Sequence, residues 1–236
     1  KIMAGRKFYS VTVRPSLTTG VLAQRAFAAN DVLFNWTEIP VDRGSSRLVS
    51  ITTIIRGTNG AAQATQDVKL YFSKNSSEYS LGTVNSAESM AGYSKDMLGY
   101  ALVNGSNDLE GGDLVPFKMI HTEVDLIMTP EGGDSIYVAG VTGGAFDFGS
   151  NIKTNGAHDA GSATTIPIGD SGLNDARLAL AVGDILQAND NAAIGTVKSV
   201  AASSVTLESA NTDALGAGDE LVCINPLVFI FGFEAA

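Results

Sequence analysis

The sequence contains one cysteine and two histidines in 236 residues. A single thiol excludes a disulfide framework and a thiolate-held metal cluster. Two imidazoles leave little material for acid–base or nucleophilic chemistry, in which histidine is the commonest player. Charged residues are scarce, at 17%, against 44% hydrophobic. That balance belongs to a folded chain, because disordered chains carry more charge and less apolar material. No apolar run reaches the ~18 residues that a membrane-spanning helix needs. Residues 1–15 lack the apolar core of a leader, so no targeting segment is expected. The net charge of -10 argues against a nucleic-acid partner. A sustained 3.6-residue period is also missing, and one short helix is expected, at Ser86–Ala91, with Ser86 as cap and Glu88 in its first turn.

What is present is alternation. Val32–Ile39 is aromatic and β-branched. Arg47–Arg56 places Val49, Ile51, Thr53 and Ile55 on one face, and Val68–Ser73 places Val68, Leu70 and Phe72. Lys118–Thr129 places Ile120, Val124, Leu126 and Met128 together, and Ser135–Val141 is a further apolar run. Period-two runs separated by Gly, Asn and Asp clusters point to an all-β antiparallel sandwich or barrel. Residues 1–30, broken at Pro15 and filled with small polar side chains, read as an extended N-terminal arm. The sandwich is expected over 31–148.

The composition changes after Phe148. Residues 149–164 are nearly all small or polar and read as a linker. Five short strands are then expected at Thr164–Ile168, Asp184–Ala188, Ile194–Val200, Val205–Glu208 and Glu220–Ile224, with Ile194–Val200 and Val205–Glu208 as a hairpin. No Phe, Tyr or Trp occurs between Ser150 and Asn225, so this core is built from Ile, Val, Leu and Ala. A small β-barrel-like domain is therefore expected over 149–225. Aromatics return in Pro226–Phe233 (PLVFIFGF). They match the core of the first domain, which makes the small domain an insertion and residues 226–236 the completion of the sandwich. The alternatives are an appended domain with its own C-terminal strand, or an exposed strand that pairs with another copy.

Charge is polarised. Residues 1–74 hold ten basic and four acidic side chains, a net of +6, whereas the remainder holds 5 basic and 21 acidic, a net of -16. A basic front and an acidic back suit head-to-tail pairing of copies or docking on an acidic partner.

Several short constellations bear on chemistry. Gly169-Asp170-Ser171-Gly172 resembles the nucleophile segment of trypsin-like proteases, but neither His121 nor His158 stands in a matching context, and a turn is expected. His121 shares a strand face with Glu123 and Asp125, a spacing open to a metal. His158 in the linker is expected to be exposed. Asp108, Glu110 and Asp113, or Asp184, Asp190 and Asp219, offer oxygen ligands of the kind Ca²⁺ takes, without EF-hand spacing. Gly140–Gly144 lacks the helix and lysine of a phosphate loop. Asn35-Trp36-Thr37, Asn75-Ser76-Ser77 and Asn104-Gly105-Ser106 fit the glycosylation sequon but mean little without a secretory signal. Trp36 and Tyr71 are possible sugar-stacking rings, although Trp36 in an apolar strand is more often core. No catalytic residue, no metal and no cofactor is assigned, and the chain is not expected to be an enzyme.

Three stretches carry a likeness to a known group of proteins. They are Phe34–Gly60 with Val68–Asn75, Gly132–Asn151, and Val182–Ala210 with Gly218–Val222. In these the chain resembles tailed-bacteriophage virion structural proteins of the capsid cement or decoration kind. The resemblance is diffuse and has no invariant motif. It implies a jelly-roll-like sandwich on the outer capsid surface, as a homo-oligomer (dimer or trimer), bridging neighbouring copies of the major capsid protein, with neither nucleic acid nor membrane as partner. The arm, through Arg6, Lys7, Arg14 and Arg25, is the expected contact. The alternative is a carbohydrate- or receptor-binding module of a tail fibre or other surface appendage.

Overall fold

The computed structural model describes residues 7–17, 26–42, 44–76, 80–90, 95–111, 116–130, 133–169, 172–188 and 193–235. The chain is all-β and antiparallel, and its apolar side chains gather into two separate clusters.

The first cluster lies between two sheets. Strands β1 (Phe8–Val13), β3 (Val32–Pro40), β4 (Ser46–Arg56), β5 (Val68–Ser73), β6 (Met97–Val103), β8 (Phe117–Met128), β9 (Ser135–Thr142) and β16 (Leu227–Ala235) supply the frame. One sheet runs β1-β16-β4-β8, with β7 (Asp108–Gly111) added at the edge; the other runs β3-β9-β5-β6. Numbered one to eight in chain order, the frame strands give orders 1-8-3-6 and 2-7-4-5. This nesting of two Greek keys is the jelly roll. A minor pair, β2 (Ala26–Phe27) with β10 (Phe146–Asp147), lies beside it.

Alternation explains the packing. Leu48, Ile51, Thr53 and Ile55 of β4, Val68, Leu70 and Phe72 of β5, and Phe229, Phe231 and Phe233 of β16 are all buried. Ring contacts tie the sheets together: Phe34 meets Phe229 at 5.5 Å and Phe72 meets Phe231 at 5.9 Å. Val49 does not face inward as its period predicts. The pairing of β4 with both neighbours skips it, between Leu48 and Ser50 on β8 and opposite the Gly232/Phe233 step on β16. Val49 is thus the extra residue of a β-bulge, and Leu48 takes the core position.

Gly140 of β9 faces inward against Phe34, and a Cβ there would lie 2.2 Å from a ring carbon. Gly140→Ala is expected to cost about 1–3 kcal/mol in denaturant unfolding, because the ring must leave a packed site. An unchanged midpoint would show that the ring has room to move.

The second cluster has no aromatic member. It comprises β11 (Thr165–Pro167), β12 (Ile185–Gln187), β13 (Ala193–Ala201), β14 (Ser204–Leu207) and β15 (Val222–Cys223), ordered β11-β14-β13-β12-β15. Ile152, Ile166, Leu186, Ile194, Val197, Val205 and Leu221 are fully buried in it. Bridges Lys153↔Glu220 and Thr154↔Ile168 join one segment to both ends of the sheet, which gives it a barrel-like closure. The chain leaves the first cluster at Phe148, builds the second between Ile152 and Cys223, and re-enters the first at Leu227.

Three further expectations differ from this structure. The segment 149–164 is packed rather than a free linker: the Ser150 and Asn151 N–H groups donate to Glu220 Oε1, at 3.1 and 3.0 Å. Small polar residues there satisfy backbone groups, which composition alone does not distinguish from flexibility. The expected arm is described over 7–17 and 26–30, and both parts belong to the fold: the first contains the edge strand β1, because Tyr9, Val11 and Val13 alternate inward and Tyr9 stacks on Phe233 at 5.3 Å, and the second supplies β2, paired with β10. The described part of Ser86–Ala91 is not helical. The Ser86 carbonyl accepts from Val32 N and Glu88 N donates to the Asn30 carbonyl, so pairing with the start of β3 outcompetes local helix bonds; Ala91 lies outside the described residues.

Candidate functional site

A buried polar cluster lies at the joint between sandwich and barrel. Asp184 closes the turn after Ala181, accepting from the Ala181 N–H at 2.8 Å through Oδ2. Its Oδ1 accepts from Arg14 Nη2 at 3.0 Å and from Arg56 Nη2 at 2.6 Å. Arg14 also donates to the Gly183 carbonyl at 2.9 Å, and Arg56 to the Ala179 carbonyl at 3.1 Å. The Asp184 side chain is 0% exposed, those of Arg56 and Arg14 13% and 28%. Both arginines leave the same end of the first sheet: β4 delivers Arg56, and Arg14 follows β1.

This joint reassigns part of the charge polarity. Arg14, expected to contact a partner, is committed within the chain. Arg47 grips Asp125 with two hydrogen bonds, at 2.6 and 2.8 Å, and lies 3.7 Å from Glu234. The basic front thus meets part of the acidic back intramolecularly. Lys7 is exposed and paired with Asp42 at 2.6 Å. Arg6 and Arg25 lie outside the described residues.

The candidate metal rows are dispersed. His121, Glu123 and Asp125 do share the solvent face of β8. However, Asp125 belongs to Arg47, which holds its carboxyl below the usual range, and His121 Nδ1 is 3.1 Å from Thr52 Oγ1. The Asp108 carboxyl is likewise held low by Lys118 at 2.7 Å. Asp219 accepts from the Gly216 N–H at 2.7 Å, far from the role of Asp184. Asp113 and Asp190, and the Asp170 and Ser171 of the GDSG turn, lie outside the described residues. Among the described residues no three His, Cys, Asp or Glu side chains gather as a metal would require. His158 is half-buried, its backbone paired both ways with Leu215. Cys223 is buried, and burial pushes its thiol up to about 12.

Two surfaces stand out among the described residues. On the second sheet, Tyr71 and Tyr100 stand directly opposite each other. Tyr100 is 69% exposed; Tyr71 is half-buried, and burial, with a hydrogen bond to Glu88, raises its phenol to about 12. Leu102 is exposed beside them, and Lys69 donates to Asn30 at 3.1 Å. Phe34 is fully buried, and Trp36 is half-buried against the core.

On the first sheet, the solvent face carries an apolar row across four strands: Val228, Ile54, Met119 and Leu109 are successive register partners. Ile230 and Thr52 pair in the next row, with His121 beyond, and a shallow depression of about 360 Å³ lies among Thr52, Asn107, Leu109, Met119 and His121. Sequence reasoning misses this row because each strand alone looks like ordinary alternation. The signal lies in adding the outward positions of four strands.

Comparison with known proteins gives little to build on. No family model matches the sequence, and no curated protein matches it. Among solved structures, a chain of the T13 IBDV viral particle is 9% identical at a TM-score of 0.23, with 98% of this chain and 39% of that one covered. The infectious bursal disease virus VP2 subviral particle gives 12% identity, a TM-score of 0.18 and coverage of 98% and 41%. This chain thus spans about two fifths of the length of the viral chains it overlaps, and overlaps this weak carry no argument about its role.

Proposed function

We propose that the chain is a structural virion protein, a cement or decoration subunit bound to the outside of a phage capsid, with no reaction of its own. The observation that carries this reading is the jelly roll, an architecture recurrent in viral capsid and lectin domains. The partner is the major capsid protein. Lys7, exposed at the start of β1, and the residues before it are the proposed contact.

The test is co-sedimentation of the purified protein with capsid shells that lack it. Saturable occupancy that falls when residues 1–6 are removed supports the reading; that deletion spares β1, which begins at Phe8. Absence of co-sedimentation at tens of micromolar overturns it.

A second reading has its own observation. Tyr100 is exposed directly opposite Tyr71, whose phenol bonds to Glu88, a pairing of ring faces with an acid that suits sugar stacking. Under that reading the face of the second sheet binds a surface carbohydrate. Retention on a glycan array, abolished by Tyr100→Ala, would favour it over capsid binding.

A further inference from the structure

We infer that the solvent face of the first sheet is a self-association surface, on which a second copy of this chain packs sheet against sheet.

Three observations converge on this occupant. The first is composition. A sheet with one face on the core should present polar side chains on the other. Here Val228, Ile54, Met119 and Leu109 form a continuous apolar row, with Ile230 beside it. Leu109 is 60% exposed, and none of the five belongs to the buried clusters or packs against them. Scattered apolar surface residues are ordinary, but a contiguous row across a sheet marks an interaction site.

The second is charge. The chain carries -10, so two copies repel wherever carboxylates meet, and like-charge juxtaposition is costly at an interface. Along this face the rows beside the apolar one hold hydroxyls: Thr12 and Thr52 flank Ile230, and Ser10 and Ser50 flank Gly232. The cation at its far end, Arg47, is neutralised by Asp125 and Glu234. Glu123 borders the hydroxyl rows at the β8 side. Its named charges, Arg47 against Asp125, Glu234 and Glu123, leave a net of -2 confined to one end, so two copies of an acidic chain can meet over the apolar and hydroxyl rows without setting carboxylates against each other.

The third is size. Five strands spaced ~4.8 Å apart and about nine residues long at ~3.4 Å each give a face of roughly 600 Å² before side chains are counted. Standard interfaces bury about 800 Å² per partner. A two-fold contact is self-complementary, so one row meeting itself suffices.

The inference is independent of the capsid reading: a dimer that ignores shells leaves it standing, and a monomer that binds shells does not. The test is sedimentation equilibrium with two outward substitutions, Ile54→Lys and Met119→Glu, folding being checked by circular dichroism. The wild type should sediment as a self-associated species, and each substitution should weaken the association at least about 30-fold, the scale of a central hot spot. A monomeric wild type at ~100 μM, or folded variants with unchanged mass, would overturn the inference. Should either variant misfold, cross-linking decides. The native thiol is buried, so Thr52→Cys should form dimers with a short bis-maleimide, whereas Tyr100→Cys on the other sheet should not. The reverse pattern would also overturn it.

Discussion

Asp184→Ala is expected to destabilise the chain by about 3–5 kcal/mol, the cost of stripping one partner from a buried ion pair. The carboxylate is fully buried and serves two guanidiniums and one backbone N–H. Without it Arg14 and Arg56 are left facing one site with carbonyls alone to accept from them, and the turn that joins barrel to sandwich loses its tie. Cys223 offers the readout. Its thiol is buried, stays protonated to about 12, and donates to Asn225 at 3.2 Å, inside the barrel end that the joint secures. A thiol reagent at pH 8 should label the native protein only through opening of that end. Labelling should then accelerate by roughly two to four orders of magnitude in Asp184→Ala, as 3–5 kcal/mol requires when opening is in fast equilibrium. The triple replacement Asp184→Leu with Arg14→Met and Arg56→Met should recover most of the loss, because apolar groups of similar volume remove the desolvation problem altogether. Labelling of Asp184→Ala within about fivefold of wild type would show that the two units hold together without this pair.

The joint also marks where a linear reading ends. Arg14 and Asp184 are 170 residues apart, Arg56 and Asp184 128. Each looks like surface charge in its own stretch, and only the topology brings them together. Local alternation, by contrast, is enough for β4, β5, β8 and the β13–β14 hairpin. The loss and return of aromatics is enough to assign Leu227–Ala235 to the core of the first sheet. Local signals mislead where they compete with global ones. Ser86–Ala91 has cap chemistry, yet its backbone pairs with β3; Val49 keeps the period, yet a bulge steps over it. The outward row on the first sheet is hidden for the same reason as the joint, since Ile54, Met119 and Val228 are ordinary one strand at a time.

The second large effect belongs to β16. It lies between β1 and β4 and contributes Phe229, Phe231 and Phe233, all fully buried. Phe231 is the hub: it meets Phe72 of the opposite sheet edge-on at 5.9 Å and stacks with Phe229 at 6.0 Å. Phe231→Ala removes a ring from the middle of the sandwich and is expected to cost about 3–5 kcal/mol, the sum of lost transfer energy and the cavity left behind. Phe231→Leu should cost markedly less, because it refills most of the volume. The two clusters share no residue, so the loss should fall on the sandwich: near-ultraviolet ellipticity, which reports the aromatic core, should melt at lower denaturant. The aromatic-free barrel, followed through Cys223 labelling, should shift less. Equal shifts of both signals would mean that sandwich and barrel unfold as one cooperative unit, with the Asp184 joint strong enough to transmit the whole defect.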